Sequence, residues 1–114
     1  MKEIKAYVRV RIVEKVVRAL EEAGFCCMTV IDVSALGHLA DSKEAKYSIE
    51  FVGQYSKMAK IEMVCREEQV AKAIEVISGT GCTHQPGDGI IFVAPVERAV
   101  KIRTGEEGAH ILQV

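Results

Sequence analysis

One hydropathy pattern, written twice along the chain, limits what this sequence can fold into more than any other feature. Residues 2–12 (KEIKAYVRVRI) alternate, with Ile4, Ala6, Val8, Val10 and Ile12 on one side and Glu3, Lys5, Tyr7, Arg9 and Arg11 on the other. A period of two is the mark of a strand with one buried face. Residues 13–24 change to helical spacing: Val13, Val16, Val17, Leu20 and Ala23 make a stripe that Gly24 ends. Residues 25–35 return to strand composition, rich in β-branched side chains. After a long interruption the order recurs. Ala59, Ile61, Met63 and Cys65 alternate over 59–65, Val70, Ala73, Ile74 and Ile77 fall at helical spacing over 67–78, and an apolar strand follows at 90–96. Two strand–helix–strand units predict one four-stranded antiparallel sheet with both helices on one face, the ferredoxin-like α+β arrangement.

At 114 residues the chain supports one core, so residues 1–114 are read as a single domain. Fifteen Lys and Arg against sixteen Asp and Glu leave a net charge of −1, which excludes the general phosphate attraction of a nucleic-acid binder. No apolar run approaches the roughly 20 residues that span a bilayer, so direct membrane insertion is not expected. The start, Met1-Lys2-Glu3-Ile4-Lys5, alternates charge with apolar residues and does not read as a signal peptide. The expected location is the cytoplasm. Cysteines at 26, 27, 65 and 82 are read as reduced thiols serving as small core hydrophobes, with a redox role for the neighbouring pair as the alternative. The sheet face away from the helices is partly apolar, with Tyr7, Val64, Met28, Val30 and Phe92 as contributors. Burial against sister subunits, a homo-oligomer, is the expectation.

Two segments stand outside the alternating pattern. Residues 37–55 are polar and weakly periodic, too long for an idle connection in a compact domain, and long loops of this kind usually carry function. Residues 80–92 (TGCTHQPGDGIIF), which run from a glycine-rich turn expected over 79–89 into the last strand, combine Gly81, Gly87 and Gly89 with Thr80, Thr83 and Asp88. Free backbone N–H groups in such a turn cradle anions, although the spacing is neither a P-loop nor a dinucleotide fingerprint. A tight turn entering a strand is the plain alternative. Cys82-x-His84 offers two soft metal ligands, with His38 as a third only if the fold supplies it, and no metal is expected. No Ser/His/Asp or Cys/His catalytic set is readable, so the chain is not expected to be an enzyme.

The run Thr83, then Gly87-Asp88-Gly89, then Ile91-Phe92-Val93, followed by Val100-Lys101-Ile102-Arg103-Thr104-Gly105-Glu106-Glu107, resembles the PII signal-transduction family, and with Gly24, Met28-Thr29-Val30, Gly37 and Lys60-Ile61-Glu62 the likeness runs through residue 107 without gaps. The resemblance implies a trimer of ferredoxin-like subunits with an adenine nucleotide in each cleft between them. Its adenine lies near Thr29, Gly37, Glu62 and Val64, and its phosphates lie over a phosphate turn at 80–89 with Thr83, Gly87, Asp88 and Gly89. A neighbouring subunit lends Lys101 and Arg103 from a C-terminal strand and tail at 99–114. Residues 37–55 become the effector arm that meets a target membrane transporter or enzyme in nitrogen regulation or a related process.

The departures from the family pattern carry their own implications. Ile90 and Gln85 stand where the family has phosphate-holding cations. A charge-assisted hydrogen bond is worth about 1.5–3 kcal/mol, so losing two costs roughly two to four orders of magnitude in triphosphate affinity. Lys101, Arg103 and Arg98 are the available replacements, and ADP or AMP is favoured over ATP. Leu39 and Met58 replace the family's 2-oxoglutarate-binding glutamine and lysine, and Phe51 replaces its modified tyrosine, so uridylylation at that position is excluded. The alternative reading is an adaptor of the same fold without nucleotide sensing, linked to metal or anion transport.

Overall fold

The computed structural model describes residues 1–35 and 57–112. Their elements run β1 (Lys2–Arg9), α1 (Val13–Glu22), β2 (Thr29–Ser34), β3 (Lys57–Cys65), α2 (Val70–Gly81) and β4 (Ile91–Pro95), with short 3-10 turns at Val10–Ile12, Glu67–Gln69 and Ala109–Ile111. Among the described residues the four strands form one antiparallel sheet in the order β2-β3-β1-β4. β1 and β2 therefore run parallel with β3 inserted between them, and β3 and β4 run parallel with β1 between them. These are two interlocked split β-α-β units, the ferredoxin-like α+β fold that the doubled pattern predicts. No helix among the described residues is long and apolar enough to cross a membrane.

One face of the sheet carries the core. Ile4, Ala6 and Val8 of β1 and Ala59, Ile61, Met63 and Cys65 of β3 pack against Val16 and Leu20 of α1 and Ala73 and Ile77 of α2. α1 stops by a Schellman closure: Phe25 N–H donates to Leu20 C=O (2.9 Å) and Gly24 N–H to Glu21 C=O (3.0 Å), with Gly24 at φ 97°. Phe25 is thereby turned into the core, 3 % exposed.

Element ends differ from the sequence reading. The first strand stops at Arg9 rather than at residue 12: its last ladder partner is Met58 of β3, and its pairing with β4 stops at Ala6, opposite Ile91. At Val10 the chain turns in a 3-10 bend, and Lys57 of β3 keeps only its β2 partner, Ser34. Val10, expected inward, is 44 % exposed, whereas Ile12 still reaches the core. The second strand begins at Thr29, not 25: the Schellman closure takes up Gly24 and Phe25, and residues 26–28 are irregular. α2 runs through Gly81, so Thr80 and Gly81 are helical and not part of the turn. A Cβ on Gly81 would meet Val8 and Val16 at 3.6 and 3.7 Å, so the end of α2 sits close on β1 and α1. The C-terminal strand is a compact bend instead. Lys101 N–H donates to Glu106 C=O (2.8 Å) and Gly105 N–H to Lys101 C=O (2.7 Å), leaving a single bridge, Val100 to Glu107. Of the four cysteines only Cys65 is buried; Cys26, Cys27 and Cys82 are exposed, so three of them are not core hydrophobes. The long connection at 37–55, with Gly37, His38, Leu39 and Phe51, lies outside the described residues.

Candidate functional site

The open face of the sheet, away from the helices, follows from register. Cα partners across an antiparallel ladder share a face, so Thr29, Glu62, Lys5 and Phe92 form one row, and Ile31, Lys60 and Tyr7 the next. Tyr7 and Phe92 meet edge-to-face, ring centroids 6.1 Å apart. Lys60 Nζ lies 2.9 Å from Glu62 Oε1, and that hydrogen bond pushes the Lys60 ammonium up. Met58, where the resemblance expects a lysine, is buried with Ala35 against Tyr7 and Val33.

Beside the upper end of β1, the chain leaving α2 closes on itself. Asp88 accepts three hydrogen bonds: from Thr83 N–H to Oδ2 (2.8 Å), from the Thr83 hydroxyl to Oδ1 (2.5 Å), and from Arg9 Nε to Oδ1 (3.0 Å). Arg9 also donates through Nη2 to the Pro86 carbonyl (2.5 Å). Burial pushes the Asp88 carboxyl up, but the two Thr83 bonds and the Arg9 guanidinium outweigh it and hold the group well below the usual carboxylate range. Thr83 and Asp88 are thus engaged with each other and with Arg9, so the Asp88 carboxylate braces the turn. Sequence reasoning missed Arg9, placing it only among outward strand residues; its position at the last residue of β1 was the one available signal.

The glycines that follow have different tasks from one another. Gly87 and Gly89 both lie at positive φ, 96° and 92°. A Cβ on Gly89 would stand 1.8 Å from the Tyr7 carbonyl oxygen, so β1 itself demands glycine there. Immediately afterwards Tyr7 N–H donates to the Ile90 carbonyl (2.9 Å), which fastens the turn to the sheet. Pro86 and Gly87 form a hydrogen-bonded turn that Asp88 closes, and among the described residues no intramolecular hydrogen bond occupies the backbone N–H groups of Gly87 or Gly89. Gly87 is half-buried and Gly89 exposed, so both N–H groups can reach a ligand, and open backbone N–H groups in such a turn can cradle an anion. Below them a cavity of about 420 Å³ lies between α2 and the turn, walled by Tyr7, Ile74, Ile77, Cys82, Gly89 and Ile90.

A second cavity, of about 460 Å³, opens at the other end of the sheet. Thr29, Glu62 and Val64 line it together with Cys26, Cys27 and Leu112. Three of the sequence-derived residues are therefore gathered here and four at the turn (Thr83, Gly87, Asp88, Gly89), but no residue lines both cavities. Lys101 and Arg103 are in neither. They sit on the C-terminal bend, which Arg98 and Glu107 clamp at its base (2.6 Å), with Arg103 exposed and Ile102 fully so. Cys82 Sγ lies 3.5 Å from His84 Nδ1, and His84 takes φ 62°. Among the described residues no group of three or more His, Cys, Asp or Glu could hold a metal ion.

Comparison with known proteins bears on the whole chain. The family described as Nitrogen regulatory protein P-II matches residues 1–106. A nitrogen regulatory protein P-II of Rhodobacter capsulatus is 40% identical over 108 residues, covering 95% of this chain and 96% of the relative. Its counterpart in Azospirillum brasilense is 38% identical over 112 residues, covering 98% and 100%, and that of Microchaete diplosiphon is 35% identical over 110 residues, covering 96% and 98%. With the interlocked sheet and the braced glycine turn in place, these matches show that the chain belongs to the P-II nitrogen regulatory protein family, whose members are signal-transduction regulators acting on target proteins rather than enzymes.

Proposed function

We propose that this chain is a regulator that takes an adenine nucleotide, ADP or AMP rather than ATP, into the seam between subunits of a cytoplasmic homotrimer. It acts on a target membrane transporter or enzyme through residues 37–55. The observation that carries this reading is the pair of open backbone N–H groups at Gly87 and Gly89, in a turn held by the Thr83–Asp88–Arg9 brace. A preorganised cradle binds phosphate oxygens without an ordering cost. In this reading the phosphates lie over that turn and the adenine lies near Thr29, Gly37, Glu62 and Val64.

Two features support an inter-subunit site. Ile102 is fully exposed beside Arg103 on a bend that its own chain does not cover, which suits a segment lent to a neighbour. Phe92 on the open face, half exposed beside Tyr7, suits burial by sister sheets. The preference for fewer phosphates follows from Gln85 and Ile90, which bring no cation to the turn.

Calorimetry with AMP, ADP and ATP, together with sedimentation, tests the reading. Binding of ADP or AMP tighter than ATP by a trimer is expected. A monomer, or no heat with any of the three at millimolar ligand, overturns it and leaves the adaptor without nucleotide sensing, linked to metal or anion transport.

A further inference from the structure

The chain leaves α2 past a thiol that the nucleotide reading does not use. Cys82 follows the last residue of the helix, its N–H donates to the Ser78 carbonyl (3.1 Å), and it is exposed. It forms part of the wall of the 420 Å³ cavity, together with Val8 and Ile91 of the sheet, Ile74 and Ile77 of α2, and Ile90 of the turn. Small-molecule sites run from about 300 to 1,000 Å³ and are mostly apolar, so this cavity suits a compact hydrocarbon. Ile74 and Ile90 are 36 % and 43 % exposed, so its mouth opens to solvent through apolar side chains. With α2 as one wall, the cavity lies on the helix side of the sheet, not on the open face that the trimer reading covers.

The group beside the thiol is a base. His84 Nδ1 lies 3.5 Å from Cys82 Sγ, and with the ring proton on Nε2 it accepts from the thiol. The thiolate is the nucleophile, and an imidazole within reach of the thiol proton is a general way of forming it. The residues that line the cavity include no Lys, Arg or His, and their one carboxylate, Asp88, is taken by Thr83 and Arg9. Such a wall has nothing to hold an anionic head and favours an uncharged electrophile with a hydrocarbon tail. We propose that Cys82 is a covalent modification site for medium-chain 2-alkenals, with the tail in the cavity and His84 as the base. Sγ bonds to the β-carbon as the C=C π bond breaks. The thiol proton passes to His84 Nδ1 and from there to the α-carbon. The aldehyde is retained, nothing leaves, and no oxidant or reductant is consumed.

The test treats the full, reduced chain with trans-2-octenal or trans-2-butenal, fixes the adducts with borohydride and reads the rate at Cys82 by peptide mass mapping. Each rate is divided by that of glutathione with the same aldehyde. Burying one methylene is worth about a fourfold gain, so the four further methylenes of octenal set a ceiling of about 250-fold. Cys82 of the folded chain is expected to add octenal at least about 10-fold faster than butenal on this scale, and the same cysteine in denaturant to show no such gain. Asparagine tolerates left-handed backbone such as the φ 62° of His84, so His84→Asn removes the base with the turn kept. It should slow both aldehydes by about 100-fold, the lower end of general-base assistance, and leave their ratio unchanged. Ile74→Gln should lower the ratio and leave the butenal rate as it is. Equal rates for the two aldehydes at Cys82 of the folded parent, or a His84→Asn rate equal to the parent's, overturns the assignment. The ratio is read on the parent and does not depend on any variant folding. No nucleotide enters the assay, so failure of this addition and failure of nucleotide binding are told apart.

Discussion

Replacing Gly89 by alanine tests whether the glycine turn is set by β1. Gly89 at φ 92° and Gly24 at φ 97° have nearly the same backbone conformation, but a Cβ at 24 meets nothing within 4 Å, while one at 89 would lie 1.8 Å from Tyr7 O and 2.8 Å from Tyr7 C. Left-handed backbone costs an L-residue about 1–2 kcal/mol, which Gly24→Ala and Gly89→Ala share. Gly89→Ala must in addition move the turn from β1 and break the Tyr7 N–H to Ile90 carbonyl bond (2.9 Å), a further penalty of about 1–3 kcal/mol when a crowded partner is left unsatisfied. For a domain of this size about 4 °C of melting temperature corresponds to each kcal/mol. The expected drop is about 4–8 °C for Gly24→Ala, with about 4–12 °C more for Gly89→Ala. Both are measured by thermal unfolding at one fixed protomer concentration, because association shifts the midpoint by mass action. Equal losses in the two variants, or a Gly89→Ala protein as stable as the parent, would refute the close-approach argument.

The remaining predictions use the brace, the thiols and the C-terminal bend. Because Asp88 is held below its unfolded value, its contribution to stability is complete above the ordinary carboxylate pKa of about 3.9 and is lost as pH falls below that toward the folded value. Urea midpoints taken from pH 6 downward should therefore slope less in Asp88→Asn than in the parent; identical slopes would remove the brace from the acid response. Burial pushes the Cys65 thiol up and hides it from solvent, so native iodoacetamide should label Cys82 while leaving Cys65 unmodified until denaturant is added, as peptide mass mapping would read. Arg103→Ala should weaken nucleotide binding by about 10- to 100-fold, the worth of one charge-assisted phosphate contact, with sedimentation unchanged; equal affinity removes Arg103 from the site.

The brace also bears on how an anion meets the turn. A carboxylate beside phosphate oxygens would repel them, yet Asp88 directs both oxygens to Thr83 and Arg9. Its charge is compensated by the Arg9 guanidinium before any ligand arrives, and what is left open is backbone. The turn therefore offers donors whose geometry does not depend on long flexible side chains, which accords with the absence of a lysine after Gly89.

The alternation of Ile4, Ala6 and Val8 and the helical stripe through Val16 and Leu20 are local signals, set by the direction of successive side chains, and they specify element type and buried face without any knowledge of the fold. The doubled order of those elements carries the topology with them. Other decisions depend on contacts between distant parts of the chain. β1 leaves the ladder at Arg9, where the chain turns into a 3-10 bend, although the alternation in the sequence runs on to Ile12 and does not record that turn. Gly81 ends a helix and sits close on Val8 and Val16, although its composition reads as turn. Asp88 meets Arg9 across 79 positions, a contact that braces the turn and that local pattern does not announce. Periodicity is a property of neighbours in the chain and is written in the sequence; closure of a turn onto a strand is a property of neighbours in space, and only the tertiary structure decides it.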